Sequence, residues 1–157
     1  MDTTTNKTTI TIEVTVDADI QNIWALWTLP EYITRWNYAS PDWHAPRAEN
    51  DLREGGKFSS RMEAKDGSAG FDFSGVYHKI IKDELISYTM DDGRKAQILF
   101  ETVEHGIRIT TTFEAENENP VELQKEGWQA ILNNFKTFAE AHKHSNLSRA
   151  INKNDHK

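Results

Sequence analysis

The groups able to do acid–base or metal chemistry in this 157-residue chain are six histidines and twenty-five carboxylates, and there is no cysteine. Cysteine nucleophiles, thiolate metal sites and disulfides are therefore excluded. His44, directly after Trp43, has the most suggestive setting, at the start of a strand. An imidazole there can donate or accept a hydrogen bond, act as a general acid or base, or simply give a wall some polarity. His142 and His144 lie two apart, a spacing that does not share a helix face, so solvation is expected there and not metal binding. His78 and His105 fall at outward or turn positions. Glu63, Asp72 and Glu101 alternate outward on strands, which argues against a paired-carboxylate active site. No Ser/His/Asp spacing, phosphate loop or metal motif occurs. Arg53-Glu54-Gly55-Gly56 is too short for a nucleotide loop, and Arg35, Arg47, Arg53 and Arg61 are scattered. No cofactor and no metal are expected. A non-catalytic role is favoured, and His44 is the leading acid/base if the protein is an enzyme.

Charge and hydropathy narrow the class. Eighteen basic against twenty-five acidic residues give a net charge of −7. Nucleic-acid binding rests on clustered Lys and Arg, and no basic run occurs, so no nucleic-acid partner is expected. Met1 to Thr9 is Thr-rich without an apolar signal segment, and no stretch reaches the ~20 apolar residues of a membrane span. A soluble cytoplasmic protein, monomeric or homodimeric, is the expectation.

The elements that would position these groups are legible from periodicity. Ile10, Ile12, Val14 and Val16 alternate with polar residues, the period of a strand with one buried face. Asp17 follows as a helix-cap candidate, then Ile20, Ile23, Trp24 and Trp27 repeat at helical spacing. Pro30 breaks that helix and opens a short second one, to about Arg35. About six strands follow. In the first, His44, Pro46, Ala48, Asn50 and Leu52 share a face if the strand is regular. Phe58, Ser60, Met62 and Ala64 form the next inner face, then Phe71, Phe73, Gly75 and Tyr77, with hairpin signals at Asp66-Gly67 and Asp92-Gly93. Ile86, Tyr88 and Met90, then Ala96, Ile98 and Phe100, then Ile107, Ile109 and Phe113 continue the pattern. Asn119-Pro120 opens a long helix to His142, capped by Asn119. Its apolar face is predicted to be Leu123, Gly127, Trp128, Ile131, Leu132, Phe135 and Phe138. Residues 1–9 are expected to be a flexible start, 10–143 a single domain and 144–157 a polar, disordered tail.

The inner sheet face is unusually aromatic. Helix-on-sheet cores are dominated by Leu, Ile and Val, whereas ligand cavities combine rigid aromatic rings with a few polar groups. Ser60, Tyr77 and Tyr88, with His44 and Asn50, are expected on that same side. Trp36 and Trp43 flank Asn37 to Asp42, a candidate rim. Gly127, costly inside a helix by ~1 kcal/mol, is expected to mark a close backbone approach, with Trp128 as a cavity wall.

The runs WTLPEYITRWNYASPDWHAPRAENDLREGGKFSSRMEAKDG, GFDFSGVYHKI, DGRKAQILFE and NPVELQKEGWQAILNNF resemble the SRPBCC, START-like or helix-grip superfamily. Trp27-x-x-Pro30 with Trp36, Gly55-Gly56 and Gly127-Trp128 carry the resemblance to its branch of heat-shock-protein-90 ATPase activator homologues. It implies an α+β fold in which a curved antiparallel sheet of six or seven strands grips a C-terminal helix, with a cavity between them. It also implies binding of a lipid-, sterol- or polyketide-like molecule; the aromatic inner face, the candidate rim and the helix face give Trp36, Trp43, His44, Asn50, Phe58, Met62, Phe73, Tyr77, Tyr88, Phe100, Trp128 and Leu132 as candidate contacts. Two alternatives accompany it: a cyclase- or hydrolase-type enzyme acting on such a ligand, and a co-chaperone-like interaction module with a chaperone partner. The family has no universal catalytic residue to carry over.

Overall fold

Alternation along the chain becomes one curled sheet. The computed structural model describes residues 8–142. Residues 1–7 and 143–157 lie outside the described residues, and with them most of the expected flexible start and all of the expected tail. Thr9, placed in that flexible start, instead pairs with Glu114.

The elements are β1 (Thr9–Val16), α1 (Ile20–Thr28), α2 (Pro30–Ile33), β2 (Trp43–Asn50), β3 (Lys57–Ala64), β4 (Gly70–Ile81), β5 (Leu85–Met90), β6 (Lys95–Val103), β7 (Gly106–Glu114) and α3 (Val121–Ala141). The seven strands form one antiparallel sheet in the order β1-β7-β6-β5-β4-β3-β2. β2 to β7 are a simple meander, and β1 closes the sheet beside β7. Gly67 and Gly93 turn two of the hairpins with φ of 80° and 93°, a region open to glycine at no steric cost. With α3 against the inner face, this is the α+β helix-grip architecture.

β1 is an edge strand, and α3 satisfies part of its exposed backbone. Gln129 Nε2 donates to the Glu13 carbonyl at 3.2 Å and Lys136 Nζ to the Thr15 carbonyl at 2.5 Å. The backbone N–H of Asp17 donates to Glu140 Oε2 at 2.9 Å. Asp17 is therefore not the cap of α1. That helix starts at Ile20 with Asp19 in the cap position, and Asp17 instead ties the β1–α1 corner to α3. Nor does Asn119 cap α3. Pro120 holds that position, and the Asn119 side chain bonds the Glu116 carboxylate.

The inward face of α3 is rotated from the expected one. Gln124, Leu132, Phe135 and Ala139 are buried, whereas Leu123 is 55% exposed. Gln124 is buried because its amide joins helix to loop, accepting from the Glu116 N–H and donating to the Asn119 carbonyl. An apolar side chain at 124 would leave those backbone groups unpaired.

Phe135 is fully buried where the helices converge. Its ring lies 4.8 Å from both Trp27 and Trp36, edge to face in each case. Trp27 also meets Phe100 of β6 at 5.6 Å, and Trp24 meets the same ring at 5.4 Å. Phe100, expected at the ligand, is thus enclosed by α1. Trp36 Nε1 donates to the Leu26 carbonyl at 2.9 Å, locking the segment after α2 to α1. Truncation of Phe135 removes the centre of this cluster. Phe135→Ala should lower unfolding free energy by about 3–5 kcal/mol, read as a fall in the denaturant midpoint.

Candidate functional site

Phe135 and its neighbours fill one end of the space between sheet and helix. The other end holds a cavity of about 360 Å³. Its sheet wall includes Phe58, Met62, Phe73, Tyr77 and Tyr88, and its helical wall includes Trp36, Trp128 and Leu132. These are eight of the twelve candidate residues. The ring of Trp128 is stacked on Phe113 of β7 at 3.8 Å and 10° and meets Phe73 of β4 edge to face at 5.9 Å, so it forms the wall that joins helix to sheet across the cavity. Phe58, Phe73 and Tyr88 meet one another at tilted or edge-to-face angles, with centroids 4.8 to 6.2 Å apart. Gly75 makes this arrangement possible. A Cβ there would fall 2.8 Å from the Phe58 ring and 2.5 Å from the Thr89 carbonyl.

Asn50 lies outside the wall and supports it. Its Oδ1 accepts from the Tyr77 hydroxyl at 2.5 Å, and its Nδ2 donates to the Thr28 carbonyl at 2.6 Å. It thereby fixes a wall tyrosine to the end of α1. Trp43 also lies outside the wall and packs against Phe71, centroids 6.0 Å apart. Phe71 lines the cavity while remaining 49% exposed, so it marks the open side.

His44 does not face the cavity. Trp43 pairs with Ala64 and His44 with Glu63, but Arg47 pairs with Arg61, so β2 carries one extra residue between His44 and Arg47. A bulge of this kind reverses the alternation on either side of it. Counting back from Ala48 and Asn50 puts His44 inside, and the bulge puts it outside. There its Nε2 sits 3.6 Å from Glu63 Oε1, an ion pair when the imidazole is protonated. Glu63 and Arg61 are themselves paired at 2.9 Å on that outer face.

Several wall residues escape a sequence reading. Thr111 is 4% exposed between Ile12 and Ile98, all three lining the cavity. It belongs to a strand whose inner face otherwise reads Ile107, Ile109 and Phe113, and only parity marks it as inward. Arg94 and Glu116 come from the β5–β6 turn and the β7–α3 loop, and the curl of the sheet brings both to the cavity. Arg94 donates to Asp92 through its backbone N–H and its Nε, and to the Glu114 carbonyl through Nη1. The Glu116 carboxylate accepts from the Asn119 side chain and from the N–H groups of Asn119 and Glu118. The Asn119 bonds hold its pKa below the usual carboxylate range, so it is ionised at neutral pH.

The hydroxyls in the wall differ in their partners. Burial pushes the pKa of Tyr77 and Tyr88 well up, so both phenols stay protonated and able to donate. Tyr77 has Asn50. Tyr88, Ser60 and Thr111 have no hydrogen-bond partner among the described residues. Their oxygens keep access to the cavity, so what bonds them is whatever occupies it, water or a ligand group. Among the described residues, no group of three or more His, Asp or Glu side chains could hold a metal ion.

Gly127 shows no close approach. A Cβ built there meets nothing within 4 Å, and Leu123, one turn earlier on the same flank, is exposed. The expectation of a tight backbone contact is therefore replaced by an open flank beside Trp128.

Residues 17–140 match the family described as activator of Hsp90 ATPase homolog 1-like protein. Among solved structures, the AHSA1-like protein of Aeromonas hydrophila superposes with a TM-score of 0.81 at 42% identity, over 85% of this chain and 93% of that one. A protein of Cytophaga hutchinsonii superposes with a TM-score of 0.74 at 48% identity, over 87% and 94%. A protein of Nitrosomonas europaea has the same TM-score of 0.74 at 19% identity, over 87% and 96%, which shows the shared fold alone. No curated protein matches the chain.

With its Cβ unopposed, residue 127 carries the helix cost of glycine without a packing return. Gly127→Ala should raise stability by up to about 1 kcal/mol, roughly 3 °C in thermal midpoint. An unchanged or lower midpoint would show that the backbone there needs the freedom of glycine.

Proposed function

The chain belongs to the activator of Hsp90 ATPase homolog 1-like family, and on that premise we propose that it binds a small hydrophobic or aromatic molecule between the sheet and α3. The observation that carries this reading is the cavity of about 360 Å³, walled by aromatic rings and interrupted by hydroxyls that the protein does not pair. Its volume falls within the usual range of small-molecule sites, about 300–1,000 Å³. Ring burial supplies affinity, and the polar atoms supply orientation.

Trp36, Phe58, Met62, Phe73, Tyr77, Tyr88, Trp128 and Leu132 are the contacts of this proposal. Asn50 acts through Tyr77, and Phe100 packs behind Trp27, which lines the cavity. His44 has no part in it. The enzymatic alternative loses its leading acid/base with the same observation, because the imidazole lies on the far side of the sheet. The chaperone-partner alternative draws on the family description.

Native mass spectrometry of freshly purified protein should reveal a co-purified small molecule. A bound ligand at a hundred times its Kd should stabilise the fold by about 2.7 kcal/mol, a rise of several degrees in thermal midpoint. No shift with any apolar compound, together with stimulation of a heat-shock-protein-90 ATPase, would replace this reading by the interaction-module one.

A further inference from the structure

Building on the cavity as a ligand site, we propose that it selects an uncharged, ring-bearing apolar molecule carrying separated oxygen functions, read by Ser60, Tyr88 and Thr111, and disfavours carboxylate-bearing lipids. The three residues are 6%, 7% and 4% exposed, and all three line the cavity. None has a hydrogen-bond partner among the described residues. Nor are their oxygens sealed from the cavity: the one buried side-chain oxygen with neither partner nor accessible surface among the described residues is Asp83 Oδ1.

Their placement specifies what can satisfy them. Ser60 is on β3, Tyr88 on β5 and Thr111 on β7. Ser60 and Thr111 have short side chains that stay near their own backbones, and their strands are four apart in the sheet, roughly 19 Å measured along it, so these two hydroxyls do not converge on one point, with the Tyr88 phenol between their strands. A fatty acid carries its polar atoms in a single head group and can reach only one of them. A rigid ring system with oxygens at opposite ends can reach two. Each hydroxyl both donates and accepts, so carbonyl, ether and phenol oxygens are all suitable.

Charge excludes the competing class. Arg94 is the one guanidinium in the wall, and Asp92 already holds its Nε at 2.8 Å. The ionised Glu116 lines the same cavity. The wall thus holds one cation already paired with Asp92 and one anion, and offers no uncommitted positive charge to offset the desolvation of an incoming carboxylate.

The test uses three probes that share one skeleton: naphthalene, naphthalene-2,6-diol and 2-naphthoate. Binding is followed by quenching of the tryptophans, three of which line the cavity. The diol should bind at least tenfold tighter than naphthalene, and 2-naphthoate more weakly than the diol. Thr111→Val keeps the side-chain shape and removes the oxygen, and Tyr88→Phe and Ser60→Ala remove theirs. At least two of these variants should raise the Kd of the diol about tenfold while leaving that of naphthalene within twofold. Thr111→Val should also raise the thermal midpoint of the unliganded protein, which doubles as the check that it folds.

Diol affinity unmoved by all three variants would overturn the inference, as would diol and naphthalene binding equally. Tighter binding of 2-naphthoate, lost in Arg94→Gln, would replace it with an anion site while sustaining the cavity reading. Failure of all three probes to bind would remove the cavity reading itself.

Discussion

Phe135 holds the fold in its present shape. Its fully buried ring receives Trp27 and Trp36 at 4.8 Å each, and Trp27 in turn rests on Phe100 of the sheet. Two helices, the turn after α2 and one strand thus meet through edge-to-face aromatic contacts, each stronger than apolar burial alone. Rings this large cannot be accommodated gradually along a helix. Where they cluster the space is full, and beyond them a single helix cannot fill the concave face of a seven-stranded sheet. The cavity is a consequence of concentrating the packing at one end.

Trp128 sets the other boundary. Two turns before Phe135 on α3, it lies flat on Phe113 at 3.8 Å. That stack fixes the helix to β7, while the edge of the indole meets Phe73 of β4 at 5.9 Å. The edges of the assembly are held by polar bonds instead. Gln129, Lys136 and Glu140 bond the backbone of β1 and the following corner, and Gln124 with Glu116 organises the loop that enters α3. Those bonds satisfy groups that would otherwise be exposed at a strand edge or stranded near the cavity mouth.

The chemistry of the cavity comes from a contrast between hydroxyls. Tyr77 is committed to Asn50 and so is part of the scaffold. Ser60, Tyr88 and Thr111 are not committed to any described residue, and their oxygens open on the cavity. Polar atoms kept in that state lower stability, and a fold selected for stability alone would favour Ala, Phe and Val at the same places. The ionisable groups of the wall, Arg94 and Glu116, are by contrast each held by their own neighbours.

Local sequence determined the elements. Alternation from Ile10 to Val16, the Asp66-Gly67 and Asp92-Gly93 turns, and the helical repeat through Trp128, Leu132 and Phe135 follow from periods of two and 3.6 residues, which need no partner to be read. The aromatic inner face, and with it the strand residues Phe58, Met62, Phe73, Tyr77 and Tyr88 of the cavity wall, follow from the alternation, and Trp128 and Leu132 from the helical repeat. Tertiary structure decided the rest. The extra residue in β2 is a property of its pairing with β3, and it alone sends His44 to the outer face. The rotation that buries Gln124 and exposes Leu123 answers to the hydrogen bonds of a preceding loop. Arg94 and Glu116 reach the cavity because the sheet curls, bringing turns far apart in sequence to one rim. Periodicity is a statement about one strand or helix at a time; register, rotation and curl are agreements between elements, and those agreements placed the polar atoms of the cavity.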